Sequence, residues 1–389
     1  MRTLFFLATL LLLLAHLAMA DDNNFAVGTC KPKLTSFSTI QAAVSAVPPG
    51  STVLVCPGVY PEQVTISRPL TLQGIADSNL DQIVITVPGT GLANVTSVFG
   101  ELVATQVLVL NAGPVNISNI AVDGTGGDQA CATSGIWLAG IFYGAGSSGE
   151  VSRVRASGQL DGGCGVGIWA ENDVSSNQHV TVQGSSVHDV DGYGISVGSS
   201  GMTSTLSVTV RDNVVFPNIA SAAGVVANSV NGDIKDNDVS NALFGFFASA
   251  PGARISSNNV TSTNYGVVLI ASGTVQSNDI SNSSVDGVVL SAPGATVESN
   301  RIVFTASVGI EFDCFAGTVD HNTINDAVIG LADVPASFSG PNTFANTGIA
   351  ISLGTGCPAP SSVKGASRLG GLSSFSQWRT PANPSGVHP

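Results

Sequence analysis

Along residues 274–291 the chain takes two sides in turn: Val275, Ile280, Val288 and Leu290 on one, Gln276, Asp279, Ser281, Val289 and Ser291 on the other. A period of two with an apolar side is the pattern of β-strand, not helix. The arrangement recurs from about residue 208 to residue 352, in the phrases VTVRDNVV, NGDIKDNDV, ARISSNNV, GTVQSNDI, ATVESNRI, GTVDHNTI and FSGPNTF. Each phrase holds one asparagine in register: Asn213, Asn237, Asn258, Asn278, Asn300, Asn322 and Asn342, spaced 24, 21, 20, 22, 22 and 20 residues apart. About ten residues later comes a glycine followed by apolar residues: GVVA, GFFA, GVVL, GVVL, GIEF, GLAD, GIAI. Self-similarity at such a period is the mark of a solenoid.

Each repeat therefore reads as two short strands flanking the asparagine, a variable loop, and a third strand led by glycine. No helical pattern separates the strands, so successive copies stack coil on coil as parallel strands, rising by roughly 4.7–4.9 Å per coil. The asparagines then lie one above another. Asparagine tolerates a left-handed turn, and its amide can bond the amides above and below as a ladder. The glycines (45 in the chain) are expected to supply positive φ after tight loops.

With that pattern in place, the repeats resemble the right-handed parallel β-helix of the pectin-lyase-like superfamily. The stretch FSTIQAAVSAVPPGSTVLVCPGVYPEQVTISRPLTLQGI is similar to the entry segment of many secreted members. The resemblance spans roughly residues 37–357. It implies an all-β, single-stranded right-handed helix with three strands per coil, about ten or more coils, and a short N-terminal capping helix. It also implies that ligands lie along the glycine-led strands.

Residues 1–20 read as a signal peptide, with Arg2, the apolar run Leu4 to Leu17, and the small-residue site Ala18-Met19-Ala20. The expected organisation is this leader, a β-helix domain over 21–357, and a Pro/Ser/Gly-rich tail over 358–389. The protein is expected to be secreted, extracellular or periplasmic, without a transmembrane segment, and a monomer. A chain of 389 residues would ordinarily divide into two domains. A solenoid escapes that rule because its core grows one coil at a time. Within 37–50, Ser38 or Thr39 can cap a helix whose face is Ile40, Ala43, Val44 and Val47, ended by Pro48-Pro49. It would cover the open end of the first coil, where unpaired backbone would otherwise invite association.

Six cysteines in an exported chain suggest three disulfides. Cys30 and Cys56 bracket the cap and first strand. Cys131 and Cys164 sit before similar glycine-led strands one coil apart, and Cys314 and Cys357 remain to fasten the last coils. Any pair can instead be free buried thiols. No CxxC or HxxxH occurs, so a structural metal site is not expected. With a net charge of −13 and only 10% charged residues, the chain offers no basic face for phosphates, which excludes nucleic acid as a partner.

Candidate chemistry concentrates between residues 115 and 213, where the coils lengthen and the extra residues fall in loops before Gly135, Gly167 and Gly194. Long loops on one face make the walls of a cleft. The side chains expected to point outward just after glycine are Trp137, Trp169, Ser196, Val226, Phe247, Val268, Val289, Glu311, Ala332 and Ala350. Trp137 and Trp169 would stack on adjacent coils as a flat platform for a sugar ring, or be buried beneath the Cys131 and Cys164 loops. Asp161, Glu171, Asp173, His188, Asp189 and Asp191 lie in the same zone. Facing carboxylates can act as acid and base in glycosidic cleavage, can hold Ca²⁺, or can be solvated loop residues. His188 beside Asp189 is either a base or a loop hydrogen-bonder. The row Val226, Phe247, Val268 and Val289 should be covered, by the tail through Phe375 and Trp378 or by a partner.

The enzyme motifs of the superfamily do not carry over. NTD, GHG and RIK are missing, the DD pair occurs only at Asp21-Asp22, and the QD pair and DPH triplet are absent. Arg153, Arg155, Arg211, Arg254 and Arg301 fall near the asparagine turn, away from the expected face. The sequence thus points to a protein that binds extracellular polysaccharide and that, as an enzyme, would be a polysaccharide hydrolase or lyase. The alternative is a non-catalytic surface or periplasmic accessory protein that uses its coils as a partner scaffold.

Overall fold

The computed structural model describes residues 23–75, 82–173, 176–200, 205–218, 222–249, 251–312, 317–335, 338 and 340–354. The expected leader 1–20 and tail 358–389, with Phe375 and Trp378, lie outside them. So does the expected pair Cys314–Cys357.

The strands assemble into three sheets of 13, 12 and 13 strands. A full coil gives one strand to each sheet, and the last described coil gives strands only to the second and third. Every pairing is parallel except that of Asn94–Thr96 with Leu102–Val109. In the coil at 274–290 the strands Thr274–Gln276, Asp279–Ser281 and Asp286–Leu290 belong to the first, second and third sheets. Their inward residues Val275, Ile280, Val288 and Leu290 are at most 1% exposed. They join one apolar column running from Val27 to Val334. After the glycine of each third strand the period-two reading holds in the coils up to Val334, whereas Ile349, Ile351 and Leu353 of the last described coil are exposed.

The asparagines form the ladder. Asn258 Oδ1 accepts both the backbone N–H and the side-chain N–H of Asn237, at 2.9 and 3.0 Å. The pattern repeats from Asn213 to Asn342. Each amide also donates to a backbone carbonyl of the coil below, as Asn278 does to Ile255 at 3.0 Å. Below Asn213 the column continues into Ser185, whose N–H bonds Asn213 Oδ1 and whose hydroxyl accepts Val154 N–H. The left-handed turn residue is not the asparagine itself. It is the residue before it: Asp212, Asp236, Ser257, Ser277, Ser299 and His321, with φ of 54–58°. Short polar side chains tolerate that conformation best, and the asparagine is freed to point inward.

The strand-leading glycines have a different reason than positive φ. Gly194, Gly224, Gly245, Gly266, Gly287, Gly309 and Gly330 carry no left-handed backbone. A Cβ at Gly266 would stand 2.4 Å from Gly287 O and 2.5 Å from Ile280 Cγ2, and the others meet the next coil in the same way. They are glycines because successive coils touch there.

The N-terminal helix is Ile40–Ala46, shorter than 37–50. Thr39 accepts the Ala42 N–H as its cap, and Ile40, Ala43 and Val44 enter the core column. Glu62 holds its first two N–H groups at 2.9 Å each. Cys30–Cys56 and Cys131–Cys164 are disulfides, with Cα separations of 5.7 and 6.1 Å. Among the described residues no helix is long and apolar enough to cross a membrane.

Candidate functional site

The third sheet carries the glycine-led strands, and its outer face differs from what strict alternation predicts. Pairing between neighbouring strands skips the glycine: Phe244 pairs with Tyr265 and Phe246 with Val267, then Tyr265 with Asp286 and Val267 with Val288. The skipped residue shifts the alternation, so the residue before each glycine lies outside with the residue two after it. One outer row is therefore Tyr193, Ala223, Phe244, Tyr265 and Asp286. A second is Trp169, Ser196, Val226, Phe247, Val268 and Val289, continued by Glu311. The rows pack on one another: Phe244 lies 5.4 Å from both Phe247 and Tyr265, parallel to the latter within 27°. Val226, Phe247 and Val268 are buried within an outer cluster that includes Phe244, and Val289 is partly buried against it; the expected cover, the tail through Phe375 and Trp378, lies outside the described residues. Tyr193 and Tyr265 stay half-buried.

At the far end of these rows sits a carboxyl pair that the sequence reading did not assemble. Asp286 is 4% exposed, accepts Val308 N–H at 3.0 Å, and hydrogen-bonds Glu311 and Ser307. Its burial pushes the carboxyl above the ordinary range. Burial, then the charges of Asp286 and Glu311, raise the Tyr265 phenol likewise. Glu311 was legible as outward, but Tyr265 and Asp286 were not, because they precede the glycine where alternation breaks. The signal available was their shared position in the repeat.

The expected tryptophan platform takes another form. Trp137 does not stand one coil below Trp169; Phe142 does, because Gly140 and not Gly135 matches Gly167. Trp137 reaches Trp169 edge-on at 5.7 Å and stacks on Tyr193 at 5.4 Å. The rings are 3% and 5% exposed. The long loops fold over them instead of standing as walls, and a hairpin through Asn94–Thr96 adds Val95 and Phe99 to the cover. Of the two expected arrangements, an open platform or rings buried beneath the Cys131 and Cys164 loops, the structure takes the buried one.

The remaining candidates separate. Glu171 lies on the same outer face, 1% exposed, with Oε1 accepting Val98 N–H at 2.8 Å. Burial, with the neighbouring Glu101 charge, drives its carboxyl up to about 8. Asp161 and Asp191 hold loops. Asp161 Oδ1 accepts the N–H groups of Gln129 and Cys131 at 2.8 and 3.2 Å. Asp191 accepts those of Asp161 and Gly165 at 2.7 and 2.8 Å. Burial and the adjoining Asp128 carboxyl lift Asp161 to about 7. His188 belongs to the second sheet, stacked on Phe216 at 5.1 Å, with Nδ1 2.7 Å from Asp189. Asp189 is held below the usual carboxylate range by Asn218 and His188. Asp173 accepts the Thr205 hydroxyl on its backbone carbonyl. These six do not converge on one cleft. Among the described residues no group of three or more His, Cys, Asp or Glu could hold a metal.

A family model described as "Right handed beta helix region" matches residues 202–357. The chain is a right-handed parallel β-helix protein. No curated protein matches it by sequence. Among solved structures this β-helix is similar to the GH136 lacto-N-biosidase from Eubacterium ramulus, with TM-score 0.62 and 12% identity over 87% of this chain and 69% of that one. The Dettilon tailspike protein gp208 gives TM-score 0.53 and 14% identity, covering 78% and 62%. The catalytic domain of a GH87 α-1,3-glucanase in complex with tetrasaccharides gives 0.52 and 12%, covering 87% and 67%. Such identities carry the fold, and leave the residues of the outer face to speak for themselves.

Proposed function

We propose that the β-helix binds a neutral saccharide chain along the outer face of its third sheet. The observation that carries this reading is the row Tyr193, Ala223, Phe244, Tyr265 and Asp286, in which two half-buried tyrosines on either side of a buried phenylalanine run into a carboxyl pair. An aromatic face suits the C–H side of a sugar ring, and carboxyls accept its hydroxyls. From Tyr193 to Asp286 are four coil rises, on the order of 19 Å at roughly 4.8 Å each. That length fits a short oligosaccharide laid parallel to the axis.

Charge narrows the class. The described strands of the third sheet contain no Lys or Arg, whereas Arg155, Arg211, Lys235, Arg254 and Arg301 stand on the other two. An anionic polymer such as a uronan would meet Asp286 and Glu311 without a counter-charge, which disfavours it. Two disulfides suit an oxidising compartment, so the saccharide would be met outside the cytoplasm. Lacto-N-biosidase and α-1,3-glucanase, the similar folds, bear names of glycan-active proteins.

Binding ranks ahead of cleavage. Two-carboxylate glycosidases separate their carboxyls by roughly 5–5.5 or 6.5–9.5 Å, whereas Asp286 and Glu311 are within hydrogen-bonding distance of one another. The test is calorimetric titration of neutral oligosaccharides into wild type, Tyr265→Ala and Asp286→Asn. Each variant should lose roughly ten- to hundredfold affinity, the scale of one stacked ring or one charged hydrogen bond. Unchanged affinity in both would remove the reading. Release of reducing sugar, or of a product absorbing at 235 nm, would move the protein into the hydrolase or lyase class.

A further inference from the structure

The apolar column is closed at one end and open at the other. At its start, Ile40, Ala43 and Val44 of the helix Ile40–Ala46 lie in the column and are at most 2% exposed. At its finish, the strand Ile349–Leu353 pairs with Ile329–Val334, setting Ile351 beside Leu331 and Leu353 beside Val334. Leu331 and Val334 are at most 1% exposed, whereas Ile351 and Leu353 are 43% and 63% exposed. Among the described residues, Thr318–Asp320, Thr343–Ala345 and Ile349–Leu353 are the last strands of their sheets. Residues 342–354 contain no charged residue and no proline. Sheet edges are ordinarily blunted by charge, by proline or by a cover. An uncharged apolar end is left with the third device.

The chain supplies a cover at the right place. It leaves the fold at this end, where Gly354 N–H bonds Val334 O at 3.2 Å. Residues 355–389 follow, more chain than any of the repeats spaced 20 to 24 residues apart. Within them Leu369, Leu372, Phe375 and Trp378 recur at every third position, with only Gly, Ser and Gln between. A backbone of three residues per turn would bring all four to one side. The connecting stretch 355–368 can reach up to roughly 46 Å, at about 3.3 Å per residue, well beyond the five-residue strand to be covered. The outer row of the third sheet does not compete for the segment, because Val226, Phe247 and Val268 are already only 1%, 7% and 5% exposed. A second copy docking on this end would first have to displace the chain that leaves from it. We propose that residues 369–378 fold back over the last described coil and close the column in cis, packing their four apolar side chains on Ile349, Ile351 and Leu353. The β-helix is thereby kept from associating end to end.

The test places the photo-cross-linking residue p-benzoylphenylalanine at position 351 of the full chain, in an equal mixture of unlabelled and heavy-nitrogen-labelled protein. Irradiation should link position 351 to peptides from 369–378 of the same label, with the protein monomeric by light scattering. Links that join the two labels would assign the end to a second copy, and links outside 369–378, or none, would leave the segment elsewhere; either result overturns the proposal. A second measurement leaves the end untouched. The difference in emission between wild type and Trp378→Phe isolates Trp378, since Trp137 and Trp169 are common to both. Acrylamide should quench that emission several-fold less than it quenches a free peptide of residues 369–378. Equal quenching would overturn the closure without reference to any variant's folding.

Discussion

The first and third sheets enclose the same core yet present opposite exteriors. On the first sheet one outer column is Thr181, Thr209, Asp233, Arg254, Thr274, Thr296 and Thr318. Beside it Arg254 bonds Gln276 at 3.1 Å and Gln276 bonds Glu298 at 2.6 Å. On the third sheet the corresponding columns carry tyrosine, phenylalanine, valine, the buried Asp286 and the half-buried Glu311. Inward residues of both sheets are equally apolar, so the core does not call for the difference. A hydroxyl- and amide-bearing exterior is satisfied by water and by its own neighbours. An aromatic one is satisfied only by packing, and half-exposed Tyr193 and Tyr265 leave that packing open to a ligand.

The largest expected effect tests why the third sheet is built on glycine. Gly266→Ala places a methyl 2.4 Å from Gly287 O. It should cost about 3 kcal/mol in chemical denaturation, since backbone cannot step aside. Gly294, in a turn with φ of +80° and only Ser272 Cβ near it, at an ordinary 3.7 Å, should cost only about 1 kcal/mol on the same change. Equal costs would mean that the coils do not touch as closely as described.

Next in size is a pH effect confined to the third sheet's flank. Folding lifts Glu171 from an ordinary 4.5 to about 8. Across that window the native chain holds a proton that the unfolded chain releases. This stability is therefore complete below about 4.5 and is lost as pH rises through 8, a few kcal/mol in all. Asp161 acts in the same direction between 3.8 and about 7. Thermal unfolding from pH 4.5 to 8.5 should show Tm falling, with the slope reduced in Glu171→Gln. A Tm that rises over this range would contradict the burial of both carboxyls.

Smaller still is the contrast in ligand affinity. Thr274→Ala, on the first sheet, should leave saccharide binding and stability unchanged within about 0.5 kcal/mol, against the ten- to hundredfold loss expected for Tyr265→Ala. The smallest effect belongs to the second sheet. Arg301 meets Asp279 at 2.7 Å with both side chains at least half exposed. Arg301→Ala should cost less than about 0.5 kcal/mol, and that remnant should vanish in high salt.

Much of the architecture was readable because each coil repeats one local rule. Val275, Ile280 and Val288 declare their side by alternation, and Asn258, Asn278 and Asn300 declare their column by spacing. The pairing of Cys131 with Cys164 followed from coil length. The candidate site was less readable. Trp137 and Trp169 each follow a glycine and an isoleucine, so they look equivalent, but the strand pairing sets them five residues out of step. Tyr265 and Asp286 would face inward by strict alternation and lie outside because the glycine is skipped. Asp161 and Asp191 looked like chemistry and serve as loop ties, since an acid at a tight turn finds backbone N–H groups whatever its reactivity.

The amino-acid order alone determined a stacked coil with an asparagine ladder, because a repeat near 21 residues with period-two strands has no other way to bury its apolar side. Folding alone decided which outer positions stand together. One unpaired residue per strand changes the side on which every preceding side chain emerges, and hairpins distant in sequence choose which rings and carboxyls lose their water. Contacts between coils are non-local, so no window of sequence contains them.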